Sequence, residues 1–244
     1  MKPVITYHDD SNIFQQIEGE LRRRLPLTNL TFNLRGLKTI PKVDFTLQKF
    51  TSDLFPRSMP VNTNISPFFL HIYLVNCDDS DHYKNILKKQ LSDWIAFINS
   101  KKNQEYLICY VATPDTKKST ARFLNIGGSV YDKIKSDFNQ KVNKCAYIKS
   151  YGQDRESSDA WVDFIEKISE SVLASFTSQI ISLEEDTRRL DSQRLLPGWN
   201  YCQYFILKEG LAFAYEFMGL YDDALLQYDE LNAQFYQSLE GFFL

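Results

Sequence analysis

The fold is decided by an uninterrupted apolar stretch, FFLHIYLV at residues 68–75. A second stretch of the same kind, YLICYV, occupies residues 106–111. Neither stretch alternates apolar and polar residues, which is typical of strands that are covered on both faces in a parallel sheet. Between them, apolar residues recur with a helical period over residues 80–99. The sequence therefore predicts a strand–helix–strand crossover unit.

The same order of elements repeats further along the chain. Apolar spacing predicts a helix over residues 130–142, a strand over 145–148 and a long helix over 158–191. A sheet built from such units has helices on both of its faces. We therefore expect residues 1–190 to form a doubly wound α/β domain with a mostly parallel sheet.

The first fifty residues predict a strand, a helix and two alternating segments. Residues 4–7 favour a strand, and Ser11 is a plausible cap for the helix that follows it. Residues 30–34 and 43–50 both alternate apolar with polar positions, which indicates half-exposed strands. We expect these two segments to be neighbours around a turn at Gly36.

The composition is that of a folded protein with many aromatic side chains. Hydrophobic residues make up 43% of the 244 residues and charged residues 24%. The 18 Phe and 14 Tyr exceed the needs of an ordinary core, which favours a protein that binds other proteins. A formal net charge of -3 gives no global basic field for nucleic acid or an anionic membrane. The amino terminus lacks the apolar core of a signal peptide, so a cytosolic location is expected.

The positions at which an α/β fold usually binds a ligand carry carboxylates in this chain. The first strand is followed by HDDSN at residues 8–12, without the Gly-rich loop, Lys and Ser/Thr that hold a nucleotide phosphate. The acidic residues at 78–81 are interpreted as favourable charge at a helix start rather than as a metal site. Residues 127–129, Gly-Gly-Ser, are interpreted as a helix cap, and His71 as a core histidine with a satisfied ring.

No reactive constellation is recognisable elsewhere in the sequence. The four cysteines are too widely spaced for a zinc site or a disulfide framework: Cys77, Cys109, Cys145 and Cys202. No GxSxG or HExxH motif occurs. We therefore predict no catalytic, cofactor-binding or metal-binding residues, and no enzymatic activity.

The last fifty residues, from Leu196 onward, predict two amphipathic helices joined by a tight turn. Gly219 would end the first helix, the pair Asp222-Asp223 would begin the second, and Ala224 lies where the helices must approach. Such a helical pair is the unit of an α-solenoid, which we place at residues 191–244. Since a single repeat cannot bury its own apolar face, we expect a longer stack. We also expect self-association through an exposed apolar patch formed by Phe205, Phe213, Phe217, Phe235 and Tyr236. The candidate protein-interaction residues are the aromatic side chains of the hairpin: Trp199, Phe205, Phe213, Phe217, Tyr221, Tyr228, Phe235 and Tyr236.

Several stretches resemble the subunit-10 family of the trafficking protein particle (TRAPP) complex, whose yeast member is a TRAPPII-specific subunit. They are scattered in family order over about residues 65–240, and none of them is a catalytic motif. The matching segments are PFFLHIY at 67–73, VYDKIKSDF at 130–138, ASFT at 174–177, PGWNYCQYF at 197–205, EGLAF at 209–213 and YDDALLQYDEL at 221–231.

The resemblance implies a large non-catalytic scaffold, of which this chain would be the amino-terminal part. TRAPPII-type complexes tether vesicles at the Golgi and act as guanine-nucleotide exchange factors for Rab-type GTPases, with the exchange chemistry in small core subunits. The resemblance thus implies other TRAPP subunits as partners, Rab-type GTPases as indirect ones, and a cytoplasmic location on the Golgi or trans-Golgi network. It also implies an α/β domain shaped like a GTPase but lacking the phosphate loop, with no cofactor.

Two other functions stay open. The chain could be a nucleotide-binding or nucleotide-hydrolysing α/β protein, which tight magnesium-dependent binding of GTP or ATP would support. It could also be a peripheral membrane-surface module that uses the basic residues at 22–24 and 117–118. Failure to float with anionic liposomes would remove that second alternative.

Overall fold

Five parallel strands form the central sheet of the structure, a computed structural model that describes residues 2–55, 66–114, 129–139, 143–152 and 154–240. The order across the sheet is β4-β1-β5-β6-β7. The strands are β1 (Val4–His8), β4 (Thr46–Lys49), β5 (Phe68–Val75), β6 (Glu105–Ala112) and β7 (Cys145–Lys149). The remaining two strands, β2 (Leu27–Asn33) and β3 (Leu37–Val43), form a separate antiparallel hairpin.

Six helices that contain α-helical turns and one short 3-10 helix, Ser52–Leu54, accompany these strands in the described part of the chain. The six are labelled in chain order. They are α1 (Phe14–Arg24), α2, α3 (Val130–Phe138), α4 (Arg155–Ser192), α5 (Tyr201–Phe217) and α6 (Tyr221–Glu240). The segment α2 is α-helical at Ser80–His82 and Lys88–Asn99, with a π-helical turn at Tyr83–Leu87 between them. No helix among the described residues combines the length and apolar composition required to cross a bilayer.

The predicted strands that are covered on both faces are confirmed. Along β5, Ile72 and Leu74 enter one apolar core, while Tyr73 and Val75 enter a second core on the opposite face. The first core also contains residues of α1, α4 and the β2–β3 hairpin, and the second contains residues of α2 and α3. The long stretch at 68–75 lacks alternation because both of its faces meet apolar side chains.

The predicted pairing of the two alternating segments is wrong. The partner of β2 is residues 37–43, and Leu30 lies opposite Ile40. The segment predicted at 43–50 is divided, since Val43 ends β3 while β4 joins the main sheet beside β1. The alternation passes through this break because Val43, Phe45 and Leu47 all pack on the same core, whichever sheet they belong to.

Two helix boundaries also differ from the prediction. The helix predicted over residues 130–142 ends at Phe138, where Asn139 follows with non-helical dihedrals, and residues 140–142 lie outside the described part of the chain. The long helix predicted from residue 158 begins at Arg155, because the Asp154 carboxylate accepts the backbone N–H of Ser157 at 2.7 Å. Such an acidic N-cap satisfies an otherwise unpaired helix donor.

The helical hairpin forms where it was predicted. Gly219, with φ of +70°, ends α5 in the left-handed conformation that a residue with a side chain rarely adopts. The next helix starts two residues later with Asp222 and Asp223 in its first turn, and Ala224 is buried at the contact. The two helices run antiparallel, and α5 packs on α4, where the rings of Tyr215 and Phe176 are 6.2 Å apart.

The large apolar side chains of α5 are divided between its exposed face and its buried face. Phe205 and Phe213 are exposed, whereas Tyr204, Leu211 and Tyr215 are buried. Apolar residues surround almost the whole circumference of α5, so their spacing could not identify the side that meets the core.

Candidate functional site

The turn after β1, where a nucleotide-binding fold would hold phosphate, is filled by a carboxylate of the chain itself. Asp9 is buried, and its side chain accepts backbone N–H groups from Ser11 at 3.2 Å, Ile13 at 3.1 Å and Phe14 at 2.8 Å. The predicted cap, Ser11, makes no side-chain capping bond to α1. Asp9 takes that role because its position at the strand end brings both of its carboxylate oxygens over the first helical turn.

This arrangement occupies three backbone donors at the start of α1 that an external anion would otherwise use. A helix N-terminus attracts phosphate through unpaired N–H groups and the positive end of the helix dipole. In this chain the Asp9 carboxylate occupies those donors and supplies the negative charge. The observed contacts agree with the expectation that carboxylates after β1 would oppose a triphosphate.

The side chains next to Asp9 form a hydrogen-bonded polar group at the same end of the sheet. His8 Nε2 lies 3.1 Å from the Asp10 carboxylate, and the Tyr73 hydroxyl donates to the same carboxylate at 3.2 Å. The rings of His8 and Tyr73 are 4.3 Å apart. Burial, together with the charge of Asp10, raises the pKa of Tyr73 well above its ordinary value, so that hydroxyl remains protonated.

The acidic segment after β5 acts as a helix start, as predicted. Asp79 is the N-cap of α2, and its carboxylate accepts the backbone N–H of Asp81 at 2.8 Å. Within the described ranges, no group of three or more His, Cys, Asp or Glu side chains is placed to hold a metal ion. Ser129 likewise caps α3 through a reciprocal capping box with Asp132, which agrees with its interpretation as a cap.

His71 is a core histidine with both ring nitrogens satisfied, as expected. Its Nδ1 lies 2.6 Å from the Thr6 hydroxyl and its Nε2 lies 3.0 Å from the Gln104 side-chain oxygen. Burial outweighs the hydrogen bond to the side-chain oxygen of Gln104 and lowers the pKa of His71 to about 4. The ring is therefore neutral at physiological pH and serves the packing of β5 against β1.

The helical hairpin presents a different surface, on which large apolar side chains face solvent. Five of the eight candidate residues are exposed: Phe205, Phe213, Tyr221, Phe235 and Tyr236. Two neighbouring leucines on α6, Leu225 and Leu226, are also more than half exposed, at 59% and 53%. We call these seven residues the outer hairpin surface.

Ring contacts connect part of this surface at the open end of the hairpin. The ring of Tyr201 lies 6.3 Å from that of Phe205 on its own helix and 6.4 Å from that of Phe235 on the other. Phe235 in turn contacts Tyr236 at 5.9 Å. One aromatic cluster therefore joins the two helices, and it consists of Tyr201, Phe205, Phe235 and Tyr236.

The other three candidates are partly buried and have partners inside the chain. Trp199 donates its indole N–H to the Leu190 carbonyl at 2.8 Å, and the Arg194 guanidinium lies 5.6 Å from its ring. Phe217 packs against the first core. Burial and the nearby carboxylates of Glu216 and Glu209 raise the pKa of Tyr228. These three residues support the hairpin more than they extend its outer surface.

The contact between α5 and α6 contains a buried charge. The Lys208 ammonium lies 2.6 Å from the side-chain oxygen of Gln227 and also pairs with Glu230. Since an unpaired buried charge is strongly unfavourable, this pairing favours one register of the two helices. That register leaves Leu225 and Leu226 exposed. Their side chains were missed as candidates, although two adjacent leucines cannot both point to one narrow helix face.

The fold and these surfaces define an α/β module extended by a helical hairpin. The chain belongs to the family described as trafficking protein particle complex subunit 10-like, N-terminal, whose model matches residues 1–194. This confirms the resemblance found in the sequence.

Named relatives match over nearly the whole chain. The human trafficking protein particle complex subunit 10 is 32% identical over 247 residues, which cover 99% of this chain and 19% of the human protein. The Dictyostelium discoideum protein of the same name is 30% identical, covering 95% of this chain and 18% of its own length. The Saccharomyces cerevisiae trafficking protein particle complex II-specific subunit 130 is 22% identical over 94% of this chain and 20% of its own.

The chain thus spans about a fifth of the length of these curated relatives. No solved structure matches it.

Proposed function

We propose that the chain is part of a non-catalytic scaffold subunit of a TRAPPII-type complex and contributes protein–protein contacts to it. The observation that carries this proposal is the outer hairpin surface, with seven large apolar side chains exposed on two adjacent helices. Its partners would be other TRAPP subunits, in keeping with the names of the relatives. The subunit would support Rab guanine-nucleotide exchange and vesicle tethering in the cytoplasm, at the Golgi membrane, without an active site of its own.

The size of the exposed surface supports this proposal. If about half of each of the seven side chains is accessible, the apolar area is on the order of several hundred Å². A typical specific interface covers about 800 Å² on each partner. The outer hairpin surface is therefore large enough to form most of the apolar centre of such an interface.

The domain organisation follows from the same reasoning. We propose that residues 1–190 form a GTPase-like α/β domain in which Asp9 replaces the bound phosphate, and that residues 191–244 begin an α-solenoid. The helical pair already has one neighbour, since Leu211 and Tyr215 of α5 share a core with Phe176 and Ile180 of α4. Stacking on a neighbour is how helical repeats gain stability.

A membrane-surface role is less well supported. The three arginines at 22–24 are each paired with a carboxylate on their own helix, Arg22 with Glu18 and the other two with Glu20. Two carboxylates therefore offset part of the charge of the three arginines before any lipid is met. Residues 117–118, the other basic candidates, lie outside the described residues.

Coexpression with the other TRAPP subunits, followed by size-exclusion chromatography, tests the proposed function. The wild-type chain should co-elute with at least one subunit, and the double variant Phe205→Ser with Phe235→Ser should not. The matched control is Ile86→Ser with Val162→Ser, which removes exposed apolar side chains from other helices and should leave co-elution intact. No co-elution of the wild type, or equal loss in both variants, would contradict the proposal.

A further inference from the structure

A groove between α2 and α3, on the face of the sheet opposite the helical hairpin, has a concentration of positive charge. It encloses about 440 Å³ and is lined by Tyr83, Lys84, Lys88, Lys133, Ser136 and Asp137. Three lysines against one aspartate give it a local excess of positive charge, although the whole chain carries a formal net charge of -3. The side chains that line the groove thus carry a formal charge of opposite sign to that of the whole chain.

Hydrogen bonds and an ion pair hold several of the side chains that line the groove in place. Asp137 accepts the Tyr83 hydroxyl at 2.7 Å through one carboxylate oxygen and pairs with Lys88 at 2.9 Å through the other. Although burial opposes ionisation, the hydrogen bonds from Lys88 and Tyr83 lower the pKa of Asp137. Lys133 donates to the Ser80 hydroxyl at 2.7 Å across the two helices. These contacts hold two ammonium groups at the groove without using all of their donors.

The remaining lysine has no partner of this kind. Lys84 is exposed, and among the residues that the structure describes it forms no hydrogen bond or ion pair. It belongs to the π-helical turn Tyr83–Leu87. Turns of this type are rare within helices and occur frequently at functional sites. An unpaired ammonium group therefore lies beside two partly paired ones at an irregular helical turn.

We propose that this groove binds an acidic segment of a partner protein, whose carboxylates pair with Lys84, Lys88 and Lys133. A peptide fits better than a lipid surface because the lysines converge on a concave groove. A flat anionic bilayer would also meet the carboxylates of Asp81 and Asp132, which lie at the starts of the two helices. The surface is separate from the hairpin, so it adds a second contact to the proposed scaffold and can be tested independently.

The test measures fluorescence anisotropy of a short fluorescein-labelled oligoglutamate peptide at low ionic strength, with oligoglutamine as the neutral control. The wild-type chain should bind oligoglutamate only, and more weakly as salt is raised. Lys84→Glu should weaken binding about fivefold or more, as expected for reversal of one exposed charge at an interface. The matched control Lys89→Glu changes the same charge on the same helix outside the groove lining, and should have a smaller effect than Lys84→Glu.

The proposal is overturned if oligoglutamate does not bind, if Lys84→Glu leaves its affinity unchanged, or if Lys89→Glu weakens binding equally. Phosphatidylserine vesicles provide the remaining comparison. Vesicle binding that depends on Lys84, without peptide binding, would replace the proposed peptide by a lipid surface. The result of the co-elution experiment with the hairpin variants does not affect any of these outcomes. The proposed function and the proposed peptide groove can therefore fail separately.

Discussion

Replacing Asp9 by Ala should destabilise the chain strongly, because one carboxylate holds three backbone N–H groups. The loss of a single helix cap costs about 0.5–2 kcal/mol. In this turn, the N–H groups of Ile13 and Phe14 belong to buried residues and would not readily find water in place of the carboxylate. Each buried donor left unpaired costs about 1–3 kcal/mol. We therefore expect Asp9→Ala to lower the free energy of unfolding by about 2–4 kcal/mol.

Urea unfolding followed by far-ultraviolet circular dichroism measures this loss, provided the m-value is unchanged. Two further variants separate the possible causes. Asp9→Asn retains an acceptor but loses the charge at the helix start, so its loss should be intermediate. Ser11→Ala should cost less than about 0.5 kcal/mol, since an exposed side chain that makes no cap contributes little. A Ser11→Ala loss equal to that of Asp9→Ala would refute the assignment of the cap to Asp9.

Two other predictions follow from the burial of His71 and from the exposure of the outer hairpin surface. The pKa of His71 is lowered to about 4 in the folded chain, whereas the ordinary pKa of histidine is about 6.5. Between these two pH values, the unfolded chain therefore binds a proton at His71 that the folded chain does not bind. The free energy of unfolding measured in urea titrations should therefore decrease by about 2 kcal/mol between pH 7 and pH 5. The variant His71→Gln should lose this part of the pH dependence. An unchanged pH dependence in that variant would contradict the prediction. The second prediction concerns the outer hairpin surface, which should cause concentration-dependent self-association in sedimentation velocity. Phe235→Ser with Tyr236→Ser should reduce this association, and a wild-type chain that stays monomeric at high concentration would exclude it.

The main sheet could be predicted because its signal does not depend on distant partners. A strand such as β5 or β6, covered on both faces, must be apolar at every position, and that requirement is visible in any single sequence. The edge strand β4 does not have this continuous apolar sequence. Its alternation continues from Val43 through Phe45 to Leu47 across a change of sheet. Periodicity records which side of a strand is buried, while the identity of the neighbouring strand depends on the path of the chain.

The candidate site was predictable in its chemistry and less so in its geometry. The carboxylates after β1 were located, but their spacing could not show that Asp9 turns back over the helix while Asp10 faces His8 and Tyr73. On the hairpin, the exposed patch was expected to include Phe217 with four other aromatic residues, but Phe217 packs partly against the first core. A helix that is apolar around most of its circumference allows several orientations. Packing against α4 and the contacts of the buried Lys208 with Gln227 and Glu230 select one of them.

The Asp9 arrangement also bears on how the α/β module can exist without a ligand. In a fold that binds phosphate, the donors at the first helix start depend on that ligand for their hydrogen bonds. An intramolecular carboxylate satisfies them at every ligand concentration and loses little entropy, since Asp9 is already fixed by the end of β1 and the core around it. The hydrogen bonds that Asp9 accepts are therefore formed without the mass-action contribution that a bound ligand makes to folding. The proposed protein-contact surface benefits from such a scaffold, because a module that loosened without a ligand would displace the rings of Phe205 and Phe235. These rings are positioned by the contact of α5 with α4 and α6, and by the ion pair of Lys38 with Asp223 of α6.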